Sequence, residues 1–269
     1  MAGLNDTLWR EYDRLDCARG RLVASLLSRR LELNASRIVD VGSGTGGVSL
    51  VLAGAGARVK AIEPDAVRLK KLISRRGGGA IEWTHAPAEQ WHEDGARYDA
   101  AVLLDALEHV RNPLAVLRKI RAVLKNEGLL YLSTPNRTSI FNLACDPHFS
   151  LPLIAAWRRQ RIKTLLSGIL KWQNPGRTDY PQLLGLAELS SLLRRARFSW
   201  QFINREAVAY ALSDPGSIWN RPWHRKFIRV LKHLHLEPKI VRILSDRPGL
   251  FNRWLNATWF ILARPVKES

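Results

Sequence analysis

The chain has 269 residues, enough to bury a full core, and its 46% hydrophobic and 25% charged residues are an ordinary globular balance. Its charge is not ordinary: 42 Lys and Arg against 24 acidic residues give a formal net charge of +18 and a pI near 10.7. Two cysteines, Cys17 and Cys145, exclude a disulfide framework, and without a CxxC or HExxH spacing the expectation is no metal site.

The N-terminus, MAGLNDTLWREYDRLD, is polar and carries acids early, unlike a signal peptide, and no run of eighteen apolar residues occurs. The expected location is therefore cytoplasmic. RIVDVG (37–42) reads as a strand ending at glycine, and VSLVLAGAG (48–56) as a helix. ARVKAIEP (57–64) is a second strand, stopped by Pro64, and DAVRLKKLISRRG (65–77) a helix with an Asp cap and a Gly exit. Gly77–Gly79 mark a loop. AIEWTH (80–85) and YDAAVLLD (98–105) are the third and fourth strands. NPLAVLRKIRAVLKNEG (112–128) is a helix with Pro at its first position, and LLYLST (129–134) a fifth strand. Strands alternating with helices predict an α/β, doubly wound parallel sheet, with its ligand beyond the carboxyl ends of the strands.

The glycine cluster VGSGTGG follows the first strand, where that ligand belongs. Gly42, Gly44 and Gly46 have no Cβ, so the loop turns tightly and its N–H groups approach a ligand closely. Glu63 ends the next strand and can accept hydrogen bonds from both hydroxyls of a ribose. Loop, strand and acid together point to a nucleoside-bearing cofactor. The spacing Gly42, Gly44, Gly47 also satisfies the nicotinamide dinucleotide pattern.

VDVGSGTG, with Asp40 two residues before the first glycine, resembles the first motif of the class I S-adenosylmethionine-dependent methyltransferases. The resemblance continues in VKAIEPD, in YDAAVLLDALEHVRNP and in LRKIRAVLKNEGLLYLSTPN. LAELSSLLRRARFSWQFIN (186–204) is similar to the family's later helix and sixth strand, and ATWFILARP (257–265) to its last strand. LEHV and the Thr-Pro-Asn after strand five look most like small-molecule O-methyltransferases of the ubiquinone-biosynthesis type. The resemblance implies a Rossmann-like sheet with an antiparallel last strand and S-adenosylmethionine as cofactor. It places that cofactor on Asp40, Gly42, Ser43, Gly44, Gly46, Glu63, Pro64 and Asp105. One departure is THAPAEQW, where Pro87 stands at the family's adenine-reading Asp. Glu89, or the backbone near Ala88, is expected in its stead. The Asp-Pro-Pro-Tyr motif of enzymes that methylate base amines is absent after strand four.

The sulfonium methyl is already activated, so alignment supplies most of the acceleration. A hydroxyl acceptor also needs a base. His109 is the candidate: it lies four residues after Asp105, and on a helical turn Asp105 would orient it. The alternative is that Asp105 caps the turn and His109 is a surface residue. His148 is the second choice, His85 a cofactor-side or structural residue, and Cys145 an inert buried thiol.

Residues 1–135 and 184–269 are expected to form the methyltransferase core with an N-terminal helix. Segments 136–183 and 205–256 are expected as helical cap insertions in the same domain. Residues 150–269 hold 21 basic and 7 acidic residues and seven of the ten Trp. In WHRKFIRVLKHLHL, Trp223, Phe227, Val230, Leu231 and Leu234 share one helical face, opposite Arg225, Arg229, Lys232 and His233. LIAAWRRQRIKTLLSGIL (153–170) is patterned less cleanly. Such helices pack on the core or lie in a membrane interface. The expected partners are a small or lipid-linked acceptor and, through 153–171 and 223–236, an anionic membrane surface at the inner face. Nucleic acid fits less well, and the oligomeric state is not readable. The competing functions are RNA methylation, a NAD-dependent oxidoreductase, and a methyltransferase-like binding protein without turnover.

Overall fold

The β-branched runs after each helix form one seven-stranded sheet. Its strands are β1 (Arg37–Val41), β2 (Arg58–Glu63), β3 (Ile81–His85), β4 (Tyr98–Leu104), β5 (Leu124–Pro135), β6 (Phe198–Phe202) and β7 (Thr258–Pro265). The computed structural model describes residues 2–74, 81–92, 95–171, 179–218 and 222–267, with side chains from residue 13 onward except those of 222–225. Gly77–Gly79 and the side chains of Trp223 and Arg225 thus lie outside the described residues. Strand order is β3-β2-β1-β4-β5-β7-β6. β1 pairs parallel with β2 and β4, whereas β7 is antiparallel to both β5 and β6. The chain winds outward in both directions from β1 and β4, so the switch point lies at their carboxyl ends.

The helices are α1 (Ala2–Ser28), α2 (Gly47–Gly54), α3 (Ala66–Ser74), α4 (Pro113–Val123), α5 (Ile140–Ala144), α6 (Arg159–Lys163), α7 (Leu186–Arg195), α8 (Asn204–Ser213), α9 (Pro222–His233) and α10 (Glu237–Ile243). Successive strand residues enter opposite layers, as the pleat requires. Val39 and Val41 pack with Leu117 and Ile120 of α4 and Leu189 and Leu193 of α7. Ile38 packs with Leu22 and Leu26 of α1 and Val48 and Leu52 of α2. Burying both faces accounts for the near-continuous apolar strands.

Three elements differ from expectation. α4 ends at Val123, five residues before Gly128, because Leu124 turns extended and pairs with buried Tyr98. Segment 153–170 is not one helix. It breaks into a 3₁₀ turn at Ile154–Ala156, α6 and a π turn at Thr164–Ile169, and buries Ile154, Ile162 and Leu166 against Phe149. α8, inside the segment expected as cap, buries Ala207 and Ala211 and touches α1 and β7, so it belongs to the core layer. Among the described residues no helix is long and apolar enough to cross a membrane.

Candidate active site

After β1 the chain turns through a glycine loop into α2. Gly42, Gly44 and Gly46 take left-handed φ values of 77°, 59° and 79°. The N–H groups of Gly42 and Ser43 both donate to the Ile62 carbonyl, at 2.8 and 3.0 Å, which ties the loop to β2. A Cβ built on Gly44 would meet nothing within 4 Å, so the loop presents bare backbone to open space. Ser43 Oγ is buried there with no hydrogen-bond partner among the described residues. Beside it is Glu63, the buried last residue of β2. It accepts from Gly44 N–H at 2.8 Å and from Asp65 N–H at 3.0 Å, and burial raises its pKa. An orphaned hydroxyl, a bare loop and a carboxylate in contact with that loop fit a polar cofactor with hydroxyls to donate.

Asp40 is part of this construction but not of its open side. It is buried, and its Oδ2 accepts from Ser49 Oγ of α2 at 2.6 Å. Burial pushes its pKa up to about 7. It therefore ties the start of the loop to α2. Gly47, the third glycine of the dinucleotide-like spacing, also has a packing reason. A Cβ there would lie 2.4 Å from the Asp16 carbonyl carbon, because α1 crosses α2 at this point.

That crossing brings residues the sequence reading missed. Asp16 Oδ2 accepts from Gly47 N–H at 2.7 Å and from Thr45 Oγ1 at 2.6 Å, which caps α2 from another helix. Arg19 reaches Asp105 at 3.2 Å, and Asp13 reaches Lys71 of α3 at 3.4 Å. The one local signal was the helical spacing of acid and base over Asp13, Asp16 and Arg19, which does not reveal what they touch.

Glu89 Oε1 accepts from the N–H groups of Arg111 (2.7 Å) and Asn112 (3.3 Å), at the start of α4. Neighbouring Ala88 is buried in the core beside Trp91. Asp105 does not orient His109. It follows β4 directly with φ 45°, accepts from Ser133 Oγ at 2.6 Å and pairs with Arg19. The chain from 105 to 109 is a turn, not a helix, so the four-residue spacing does not align the two side chains. Pro64 is exposed, and its carbonyl contacts His85 Nε2 at 3.0 Å. Cys145 is exposed, contrary to the buried thiol expected.

His109 instead meets a different acid. Its Nδ1 contacts Asp179 Oδ2, and its ring stands edge-on to His148, centroids 5.0 Å apart at 88°. Glu108 is buried beside them. Its Oε2 accepts from Thr134 Oγ1 of β5 at 3.0 Å, and its Oε1 lies 3.8 Å from His148 Nε2. Burial pushes Glu108 up to about 7. Ligand atoms of Glu108, His109 and His148 all lie within 4.8 Å of one another, a set able to hold a cation. No motif spacing showed this: His148 comes from the far side of β5, 39 positions along. A Cβ on Gly42 would lie 2.8 Å from that of Ala106, two residues before Glu108, so this cluster is next to the glycine-loop site.

The Methyltransferase domain family model matches residues 9–200. The ubiquinone biosynthesis O-methyltransferase of Xanthomonas euvesicatoria is 33% identical over 203 residues, 74% of this chain and 73% of that protein. Among solved structures, an S-adenosylmethionine dependent methyltransferase from Mesorhizobium loti matches with TM-score 0.55 and 17% identity, over 90% of this chain and 96% of that one. The plantazolicin methyltransferase BpumL, solved with SAH, matches with TM-score 0.52 and 13% identity, over 99% and 89%. The family match settles the choice between cofactors that the glycine spacing left open. The chain belongs to the class I S-adenosylmethionine-dependent methyltransferases.

Proposed function

We propose that this methyltransferase acts on a hydroxyl oxygen of a small or lipid-linked acceptor. The observation that carries this is the basic cluster of His109 and His148 beside Glu108 and Asp179, adjoining the cofactor loop. S-adenosylmethionine supplies a methyl on a sulfonium sulfur, which departs as a neutral thioether. The bare backbone at Gly44 and the hydroxyl of Ser43 would hold its methionine end, with Arg19 a cation at the same mouth. Glu63 would take the ribose. A carboxylate has about four acceptor positions, and backbone donors use two of them here.

A hydroxyl must lose its proton as its oxygen is methylated. Asp179 on Nδ1 of His109 fixes the tautomer whose basic nitrogen is Nε2. That nitrogen would take the acceptor's hydroxyl proton. His148, edge-on to the same ring, limits how it can rotate. An amine acceptor, nucleophilic when neutral, would need no such cluster. The named relative is an O-methyltransferase, which supports the same reading.

The test is transfer of a labelled methyl to catechols, anilines and total RNA. Label in an aryl ether is expected; label only in amine or RNA would overturn the reading. His109→Ala should cost about 10²- to 10⁴-fold in turnover and leave cofactor affinity unchanged. The compact ligand set favours a second reading, in which a divalent cation on Glu108, His109 and His148 polarises the hydroxyl. Activity lost to a chelator and restored by added cation would select it; activity indifferent to chelator leaves His109 as the base.

A further inference from the structure

α9 is held to the protein through Ile228, which is 3% exposed, while Phe227, Val230 and Leu234 are 55%, 54% and 56% exposed. At positions i, i+3 and i+7 these three share one helical face. An amphipathic helix of a globular protein normally turns that face to the core. Here a side face anchors the helix, and the large apolar groups remain in water. Lys226 and Arg229 are exposed beside them. Over 221–253 the sequence carries nine Lys and Arg against two acidic residues. Among the described residues Lys226, Arg229, Lys232, Lys239 and Arg242 make no ion pair. The segment lies beyond residues 9–200, so the family match does not account for it.

We infer that α9 docks the protein on an anionic lipid bilayer, with Phe227, Val230 and Leu234 at the headgroup boundary and Lys226, Arg229 and Lys232 on lipid phosphates. An interfacial helix uses an apolar strip and its flanking cations together, which is the pairing seen here. A second copy of the chain would bring one strongly basic segment against another, so like charge opposes that occupant. Single-stranded RNA needs stacking planes among the cations, and two of these three apolar residues are aliphatic. The inference rests on this helix alone and is independent of the acceptor and of His109.

The test is co-sedimentation of the full chain with phosphatidylcholine vesicles, with and without phosphatidylglycerol, at low and high salt. Parallel measurements are RNA filter binding and size-exclusion chromatography. Binding confined to anionic vesicles and weakened by salt is expected. Each cation near such a surface contributes about fivefold, so Lys226→Glu with Arg229→Glu should weaken binding by at least about 25-fold. Phe227→Ser with Leu234→Ser should weaken it at every salt concentration. All four side chains are exposed, so melting temperature and cofactor affinity should stay at wild-type values. Equal partitioning onto neutral vesicles, or binding unmoved by both variants, overturns the inference. So does a wild-type dimer dissolved by the Phe227/Leu234 variant, or RNA binding in place of vesicle binding.

Discussion

Gly44 and Asp40 do opposite work within four residues. Gly44 has φ 59° and open space where a Cβ would go. Gly44→Ala therefore costs only the left-handed strain, about 1–2 kcal/mol, and should fold. It should still lose S-adenosylmethionine affinity at least about tenfold, read by calorimetry; wild-type affinity in the folded variant would remove the cofactor from this loop. Asp40 is tested by pH. Its folded pKa is raised to about 7 by burial, so its contribution is full in acid and lost as pH climbs through 7. Asp40→Asn keeps the shape and cannot ionise. Its stability relative to wild type should rise by roughly 2 kcal/mol between pH 5 and pH 8 in denaturant titrations. A difference flat with pH would show that Asp40 does not titrate in that window. That Gly44 and Glu63 meet was legible from sequence because a strand end fixes where the next residues go. Glu89 was not, because the N–H groups it caps are 22 and 23 positions away.

Between elements, the contact of α1 with α2 explains glycines that a ligand does not. A Cβ on Gly20 would lie 2.6 Å from the Gly47 carbonyl oxygen, and one on Gly47 would strike the backbone of Asp16. The helices meet backbone to backbone, and Asp16 uses that closeness to cap α2. Asp16→Ala should destabilise the fold by about 1–2 kcal/mol, as lost N-caps do. It should also weaken cofactor binding, because Thr45 of the loop loses the same partner. Asp16→Asn, which retains an acceptor, should recover most of both. A variant with wild-type melting temperature and affinity would show that the cap is idle. None of this was visible in the alternation of strands and helices, because the partners lie 29 and 31 positions apart. Asn136 is a parallel case. The sequence marked it only as the end of Thr-Pro-Asn, yet its amide nitrogen lies 2.8–3.1 Å from the carbonyls of Asn252, Arg253 and Asn256, tying the second insertion to β5.

For the whole molecule, the sheet was legible because its central strands β1, β2, β4 and β5 are buried almost throughout and helices such as α4 and α7 bury one face, which leaves a periodic trace. The insertions were not, because short broken helices such as α6 bury a few residues against a local partner and leave none. The placement of α1 then has a consequence for the entire chain. Its Asp13, Asp16 and Arg19 touch α3, the glycine loop and the end of β4, so one helix spans the mouth of the cofactor site. Cofactor bound beneath it should stabilise the fold by mass action, about 2.7 kcal/mol at a hundred times Kd. For a chain of this size that is a rise of roughly 5–10 °C in melting temperature. Hydrogen exchange should slow most along residues 13–28 and in the loop 42–47, and least in β6, at the far edge of the sheet. If the melting temperature rises while exchange in 13–28 is unchanged, α1 is a scaffold only. If protection appears in α1 but not in the loop, the cofactor enters elsewhere. Slowing in both together is the outcome that the three contacts of α1 require.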